Sequence, residues 1–455
     1  MQVLRGTLID GTGRPPVPDG VLHVDGKRIV FAGPADAAPP WPPSADTLDL
    51  RPRTLLPGLI DCHAHPVPGV TGDADAGLPW ADELRVLHAT ELMRRALRSG
   101  VTTIRNVGAP RYTAYSLREA AEREWLVGPR LLVSGPIICP TGGHGHPGGG
   151  AADGPDGVRR QARRYFRDGA DFLKLSATGG GTARTVRHRA TYTVEEIRAA
   201  VDEAAQHESY ATAHVHGTEG IVRCLDAGMP MLEHATFVGP DNREHFDLEV
   251  AARIRDAGVV VVPTVQVYGR WAETGPGRVD DLSADDLAAW QARYESLPYM
   301  LHPFPRLDRI GPRELATWRH RFDSFSKRVE LVGRLYEMGV VLLMGSDGGG
   351  RPAPIDDLGH GIALHVRAGV PPLAAIHSAT GLAAKWIRVD DVTGTLQAGK
   401  EADDIAVDGD PLADVTALSR VAFVMARGRV VKAPPLPAPA AGRRGSGAAP
   451  QAAAR

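Results

Sequence analysis

Residues 55–66 read LLPGLIDCHAHP, a short apolar run that ends in two histidines one residue apart. Its length and its Pro-Gly punctuation predict a buried strand. Side chains two apart on a strand share a face, so His63 and His65 can aim at one point. Two imidazoles placed in that way are a plausible pair of metal ligands. An isolated HxH is also compatible with two unrelated polar histidines at a strand end, so the pair has to be judged with the rest of the chain.

Outward from this stretch, apolar strand-like runs alternate with amphipathic helical ones. The helical ELRVLHATELMRRALRSG precedes VTTIRNVG. The runs RLLVSGPII, ADFLKLSATGG, YATAHVHG, MPMLEHATFV, GVVVVPTVQV and GVVLLMGSDGG follow, with TVEEIRAAVDEAAQHE and EGIVRCLDAG among the helical stretches between them. Strand–helix alternation implies a parallel sheet with right-handed crossovers. Eight such strands predict an α/β fold of the (β/α)8 TIM type over residues 58–389, against the alternative of an open doubly wound sheet. Residues 1–57 and 390–432 carry short alternating runs with Asp-Gly turns. Neither segment can bury a core alone, so the two are expected to pair into one small sheet domain. The segment 269–325 is long for a connection and reads as a helical insertion, a lid or cap. Residues 433–455 are rich in Ala, Pro, Gly and Arg and read as a disordered tail.

Composition narrows the function. Of 455 residues, 52 are Lys or Arg and 54 are Asp or Glu, a net charge of −2, and aromatics are 5%. That balance has no electrostatic footprint for nucleic acid or anionic membrane. The three cysteines, Cys62, Cys139 and Cys224, are widely spaced and form no CxxC, which argues against a disulfide framework or structural zinc site. No run reaches the ~18 apolar residues of a membrane span, and the N-terminus has no signal-peptide core. A cytoplasmic location is the expectation, with a homo-oligomer left open.

The other chemistry-bearing residues close the same kind of strand. Lys174 lies mid-strand in DFLKLSATGG, on the face of Phe172 and Ser176, where an unpaired amine is costly to bury. It either snorkels to solvent or is held against an anion. His214 and His216 sit in TAHVHG and His234 in LEHATF, with Glu233 alternating away from His234. Asp347 ends VLLMGSDGG. In a (β/α)8 barrel the carboxyl ends of the strands meet at one mouth, so the constellation says more than any member does.

Together PGLIDCHAH, GADFLKLSATGG, HVHGTEGI, LEHATF, GSDGG and the ending GTLQAGKEADDIAVDGDPL resemble the amidohydrolase superfamily over about residues 1–432, in its imidazolonepropionase-like and prolidase-like branch. The resemblance implies a distorted barrel with a small β-sandwich from both termini, and two divalent metals, usually zinc. His63, His65 and Asp347 would hold the more buried metal, and His214 and His234 the more exposed one. A carboxylated Lys174 would bridge them. A bridging hydroxide would attack an amide carbonyl, with Asp347 moving the proton to the leaving nitrogen. The substrate would be a small peptide, an N-acyl amino acid or a cyclic amide. A peptide-tailoring enzyme that removes a follower peptide, as in bottromycin-like biosynthesis, is the first alternative. A metal-free scaffold is the alternative from another class. His144, in GGHG, matches a substrate-facing loop of this branch. His216 stands where dipeptidase-like relatives carry a carboxylate-binding tyrosine. Tyr192, Arg184 and Arg187 are placed to reach an anionic group. His360 and His365 read as helical and structural.

Overall fold

The computed structural model describes residues 1–70, 81–268, 312–349 and 354–434. In chain order the first strands are β1 (Gln2–Leu8), β2 (Val17–Asp25), β3 (Arg28–Pro34) and β4 (Asp46–Pro57). Seven strands with intervening helices follow: β5 (Leu59–Ala64), β6 (Val101–Asn106), β7 (Arg130–Val133), β8 (Leu173–Ser176), β9 (Ala211–Gly217), β10 (Met231–Val238) and β11 (Val260–Val262). The chain returns with β12 (Asp404–Val407), β13 (Val421–Ala426) and β14 (Arg429–Lys432).

The two ends of the chain do join. They form one seven-stranded sheet in the order β14-β13-β12-β4-β1-β2-β3. Its centre is β4, which runs parallel to β1 and antiparallel to β12. The strand ladder is therefore a single sheet, and a two-sheet sandwich is not what it shows. Leu4, Leu22, Ile29, Leu55, Ala406 and Phe423 form a separate core for it. The 12-residue β4 feeds directly into β5, so the two units share one continuous run of backbone.

The middle strands pair in parallel as β5-β6-β7 and β8-β9-β10-β11. Single bridges connect the two sheets: Ile138 with Leu175 on one side, and Val261 with Leu342 and Ala64 with Gly348 on the other. This arrangement is consistent with a TIM-like barrel. The eighth run, GVVLLMGSDGG, makes only such bridges. Its backbone alternates between neighbours, giving Val341 O and taking Val261 O, then bonding Cys62 and His63. No Cβ fits at Gly345, because Val262 Cγ1 would lie 2.6 Å and His63 Cβ 2.7 Å away. The glycine lets this run close against β5.

Alternation around β8 sorts side chains as period two requires. Leu173 and Leu175 join the outer core with the helices, while Phe172, Ile60, Cys62 and Met231 share a second, inner cluster. The expected helices form at α1 (Asp82–Arg98), α4 (Val194–Gln206) and α5 (Thr218–Asp226), with α2 (Thr113–Glu122), α3 (Gly154–Arg167) and α6 (Leu248–Asp256) between strands. A capping box of Thr193 and Glu196 starts α4 and satisfies two backbone donors at once. The expected cap at 269–325 lies outside the described residues as far as 311, and the helix Pro312–Glu337 covers the rest. The tail lies outside them from 435. All three cysteines are buried and free. Among the described residues no helix is long and apolar enough to cross a membrane.

Candidate metal centre

His63 and His65 stand at the carboxyl end of β5, and Asp347 reaches them from the eighth run. Asp347 Oδ1 lies 3.5 Å from Nε2 of each histidine. One ligand atom from each of the three falls within 4.8 Å of the others. His65 Nδ1 is 3.0 Å from the Gly108 carbonyl, which can only accept, so Nδ1 carries the proton and Nε2 offers its lone pair. His63 Nδ1 is 2.7 Å from Glu233 Oε2, which fixes the same tautomer. Burial pushes the His65 imidazolium down to about 4. At His63, burial and Lys174 act downward, but Glu233 and Asp347 outweigh them and its pKa is raised. A metal there would displace that proton. Burial acts upward on Asp347, yet His63, His65 and Lys174 hold its carboxyl below the usual range.

The supports of this set were not read from the sequence. Glu233 is fully buried, and its carboxylate accepts from Arg105 Nη2 at 2.5 Å, Thr212 Oγ1 at 2.5 Å and His63. Burial alone would raise its pKa, but Arg105, Lys174 and His63 bring it well below the carboxylate range. Arg105, on β6, is itself fully buried and also donates to the Cys62 carbonyl at 2.6 Å. A charged residue within an apolar strand was the available signal for Arg105, since such a charge demands a partner. Asp61 is the third support. It accepts from Ser346 Oγ at 2.5 Å, Ser346 N at 3.0 Å and His63 N at 3.1 Å, tying β5 to the run that carries Asp347.

The second set lies on β9 and β10. Ligand atoms of His214, His216 and His234 fall within 4.8 Å of one another. His214 Nε2 meets the Gly179 carbonyl at 3.2 Å, which leaves Nδ1 for the cluster. Burial, and then neighbouring positive charge, hold all three imidazoliums well below the ordinary value. They are neutral at ordinary pH and offer lone pairs, as metal ligation needs.

Alternation places Glu233 on the inner face, and by the same rule His234 would point outward with Leu232. It does not, because His234 has φ 69°, Ala235 φ 44° and Phe237 φ 53°. This left-handed stretch breaks the ladder after His234 and turns its ring inward. The expectation that Glu233 alternates away from His234 is thus corrected: both reach the centre. Asp347 and Thr264 are also left-handed, at 55° and 48°. Such non-glycine conformations cost of order 1 kcal/mol each and cluster where function needs a fixed direction.

Lys174, on β8, is 1% exposed, and its Nζ has no hydrogen-bond partner among the described residues. Its charge is felt by His63, His214, His234 and Asp347, so it stands between the two sets. Burial lowers its pKa to about 8. A buried amine without an acceptor, flanked by neutral imidazoles and a carboxylate, fits a site completed by cations and a modified lysine.

His144 is 5% exposed, its ring centroid 4.1 Å from that of His214. The Thr182 backbone N–H donates to its Nδ1 at 3.2 Å, so its ring proton sits on Nε2. Tyr192 is a correction. Its hydroxyl donates to the Ala152 carbonyl at 2.6 Å and its ring lies in the outer core, so it braces the Gly-rich loop instead of facing a substrate. Arg184 is exposed and Arg187 half-buried on the loop after β8. His360 and His365 fall in the helix Leu358–Arg367, outside both histidine sets, as expected.

The chain is similar to several known proteins. The ochratoxinase of Aspergillus niger is 28% identical over 471 residues, spanning 95% of this chain and 86% of its own. Its crystal structure matches with a TM-score of 0.73 at 25% identity, over 95% of this chain and 96% of the other. A Xaa-Pro dipeptidase crystallised with methionine in its active site matches at 28% identity with a TM-score of 0.76, over 94% of this chain and 99% of the other. An imidazolonepropionase of a Methylobacterium species is 41% identical over 101 residues, 22% of this chain and 24% of that protein. Residues 54–431 match the Amidohydrolase family, and the chain belongs to it.

Proposed function

We propose that this chain is a metal-dependent hydrolase of amide C–N bonds, acting on a small peptide, an N-acyl amino acid or a cyclic amide from a (β/α)8 barrel. The observation that carries the reading is the unpartnered, buried Lys174 amine between two sets of ligand side chains. The ochratoxinase and Xaa-Pro dipeptidase relatives support the choice of bond. His63, His65 and Asp347 would hold one divalent cation, with zinc the expected metal, and His214 and His234 a second. Lys174 would bridge them after its neutral amine adds carbon dioxide and loses a proton to become a carbamate. Bound cations supply Lewis-acid polarisation of the carbonyl and a water made nucleophilic at neutral pH.

The protein's own groups do the rest. Asp347, ionised and beside both β5 histidines, takes the proton of the attacking water and delivers it to the leaving nitrogen. His144 presents an Nε2–H beside His214 and donates to a substrate oxygen. Glu233, Arg105 and Asp61 hold the ligands in direction. A complete set of ligand-type side chains speaks against a metal-free scaffold.

Metal analysis of protein purified without added metal is the test, together with a hydrolysis screen of dipeptides, N-acyl amino acids and cyclic amides. Close to two metals per chain and turnover of at least one class are expected. Metal-free protein that hydrolyses the panel as well as loaded protein would refute the reading.

A further inference from the structure

The second histidine set holds one residue more than the two ligands just assigned. His214 and His216 are two apart on β9 and share its inner face, as His63 and His65 do on β5. His234 joins them from β10, as Asp347 joins the first pair. The two sets are built alike: an HxH at a strand end plus one left-handed residue from a neighbouring run.

The environment of His216 matches that of His234. His234 Nδ1 lies 2.7 Å from Thr264 Oγ1, and His216 Nδ1 lies 2.8 Å from Thr236 Oγ1. Each threonine comes from the next strand over or its end, and each occupies the same ring nitrogen. The two rings are nearly parallel, 23° apart in plane with centroids at 4.8 Å. Both therefore keep Nε2 for the space that His214 Nδ1 also faces. His216 is 7% exposed, its backbone N–H is bound to Thr178 Oγ1 at 3.0 Å, and its ring is held at Nδ1 by Thr236. An imidazole whose far nitrogen is fixed by a hydroxyl or carbonyl is oriented as metal-ligating histidines are.

From this geometry we infer that His216 is a third protein ligand of the more exposed cation, with His214 and His234. The inference rests on the metal-dependent reading above. Three neutral nitrogens from the protein with one open position is the ligand count of a self-sufficient zinc-type site. Each cation site then has three protein ligands besides the Lys174 bridge: His63, His65 and Asp347 at one, His214, His216 and His234 at the other.

Cobalt(II) titration of chelator-stripped protein tests it, read by equilibrium dialysis and by the visible d–d absorption. In Lys174→Ala/His65→Ala, which removes the bridge and opens the first set, one equivalent should still bind. Adding His216→Ala should then weaken that binding about 100-fold or more and change the absorption, since even second-layer supports are worth about 10- to 100-fold. Thr236→Val keeps the imidazole and should weaken cobalt binding by about 10-fold or more through lost orientation. It also serves if His216→Ala fails to fold. Unchanged cobalt affinity and spectrum in both His216→Ala and Thr236→Val would overturn the inference and leave His216 a substrate contact. Wild-type protein that binds no cobalt at all would instead overturn the metal-dependent reading itself, and this one with it.

Discussion

Glu233 Oε2 lies 2.7 Å from His63 Nδ1 although 170 residues separate them, and neither side chain is more than 1% exposed. Through that contact one carboxylate joins the first metal-ligand set to the buried Arg105 guanidinium. Replacing Glu233 by Gln should leave Arg105 as an uncompensated buried charge and cost about 3–5 kcal/mol of stability. The Arg105→Met/Glu233→Gln pair should recover part of it. Denaturant unfolding of the wild type and both variants checks this. A loss within about 0.5 kcal/mol, the range of surface changes, would sink the argument.

Asp347→Asn should keep the fold and much of the metal while turnover falls by ~10²–10⁴, the usual worth of a positioned acid–base group. Steady-state kinetics alongside metal analysis separates the two effects. Near-normal kcat would reject the assigned proton transfer.

Lys174→Ala should lower the number of bound metals and slow hydrolysis of every substrate, not of one class. Formate or propionate should restore part of the activity by standing in for the missing bridge. A variant that keeps both metals and changes only substrate ranking would make Lys174 a binding residue. High-resolution density for an unmodified amine in metal-loaded protein would do the same.

A pH effect independent of the metal site comes from His365. It is 1% exposed, neither ring nitrogen has a partner among the described residues, and burial takes its pKa down to about 4. The unfolded chain binds a proton near 6.5 and the folded one only near 4. Its contribution is fully present above about pH 6.5 and is lost as pH falls toward 4, about 3 kcal/mol in all. His365→Leu should flatten that part of the stability profile. Urea unfolding of both proteins at pH 8 and pH 5 measures it, and parallel profiles would count against it.

The local rules carried far. Period two alone put His63 and His65 on one face, Lys174 on the face of Phe172, and Leu173 and Leu175 on the other. These are neighbours along the backbone, and a strand's pleat decides which way they point. Strand–helix alternation likewise foretold parallel strands in an α/β core, and the short alternating runs with Asp-Gly turns at both chain ends are the ones that share one sheet. The same rule failed at His234, where a left-handed turn reversed it. It was silent at Arg105 and Glu233, which meet across 128 residues, and at Asp61 and Ser346, which meet across 285. Tyr192 turned to a backbone carbonyl 40 residues away. Sequence determined which ligand-type side chains close which strands, because that depends on neighbours in the chain. Tertiary structure decided which of them meet, which tautomer each imidazole keeps and which charges are compensated, because buried polar groups settle on partners brought together only by folding.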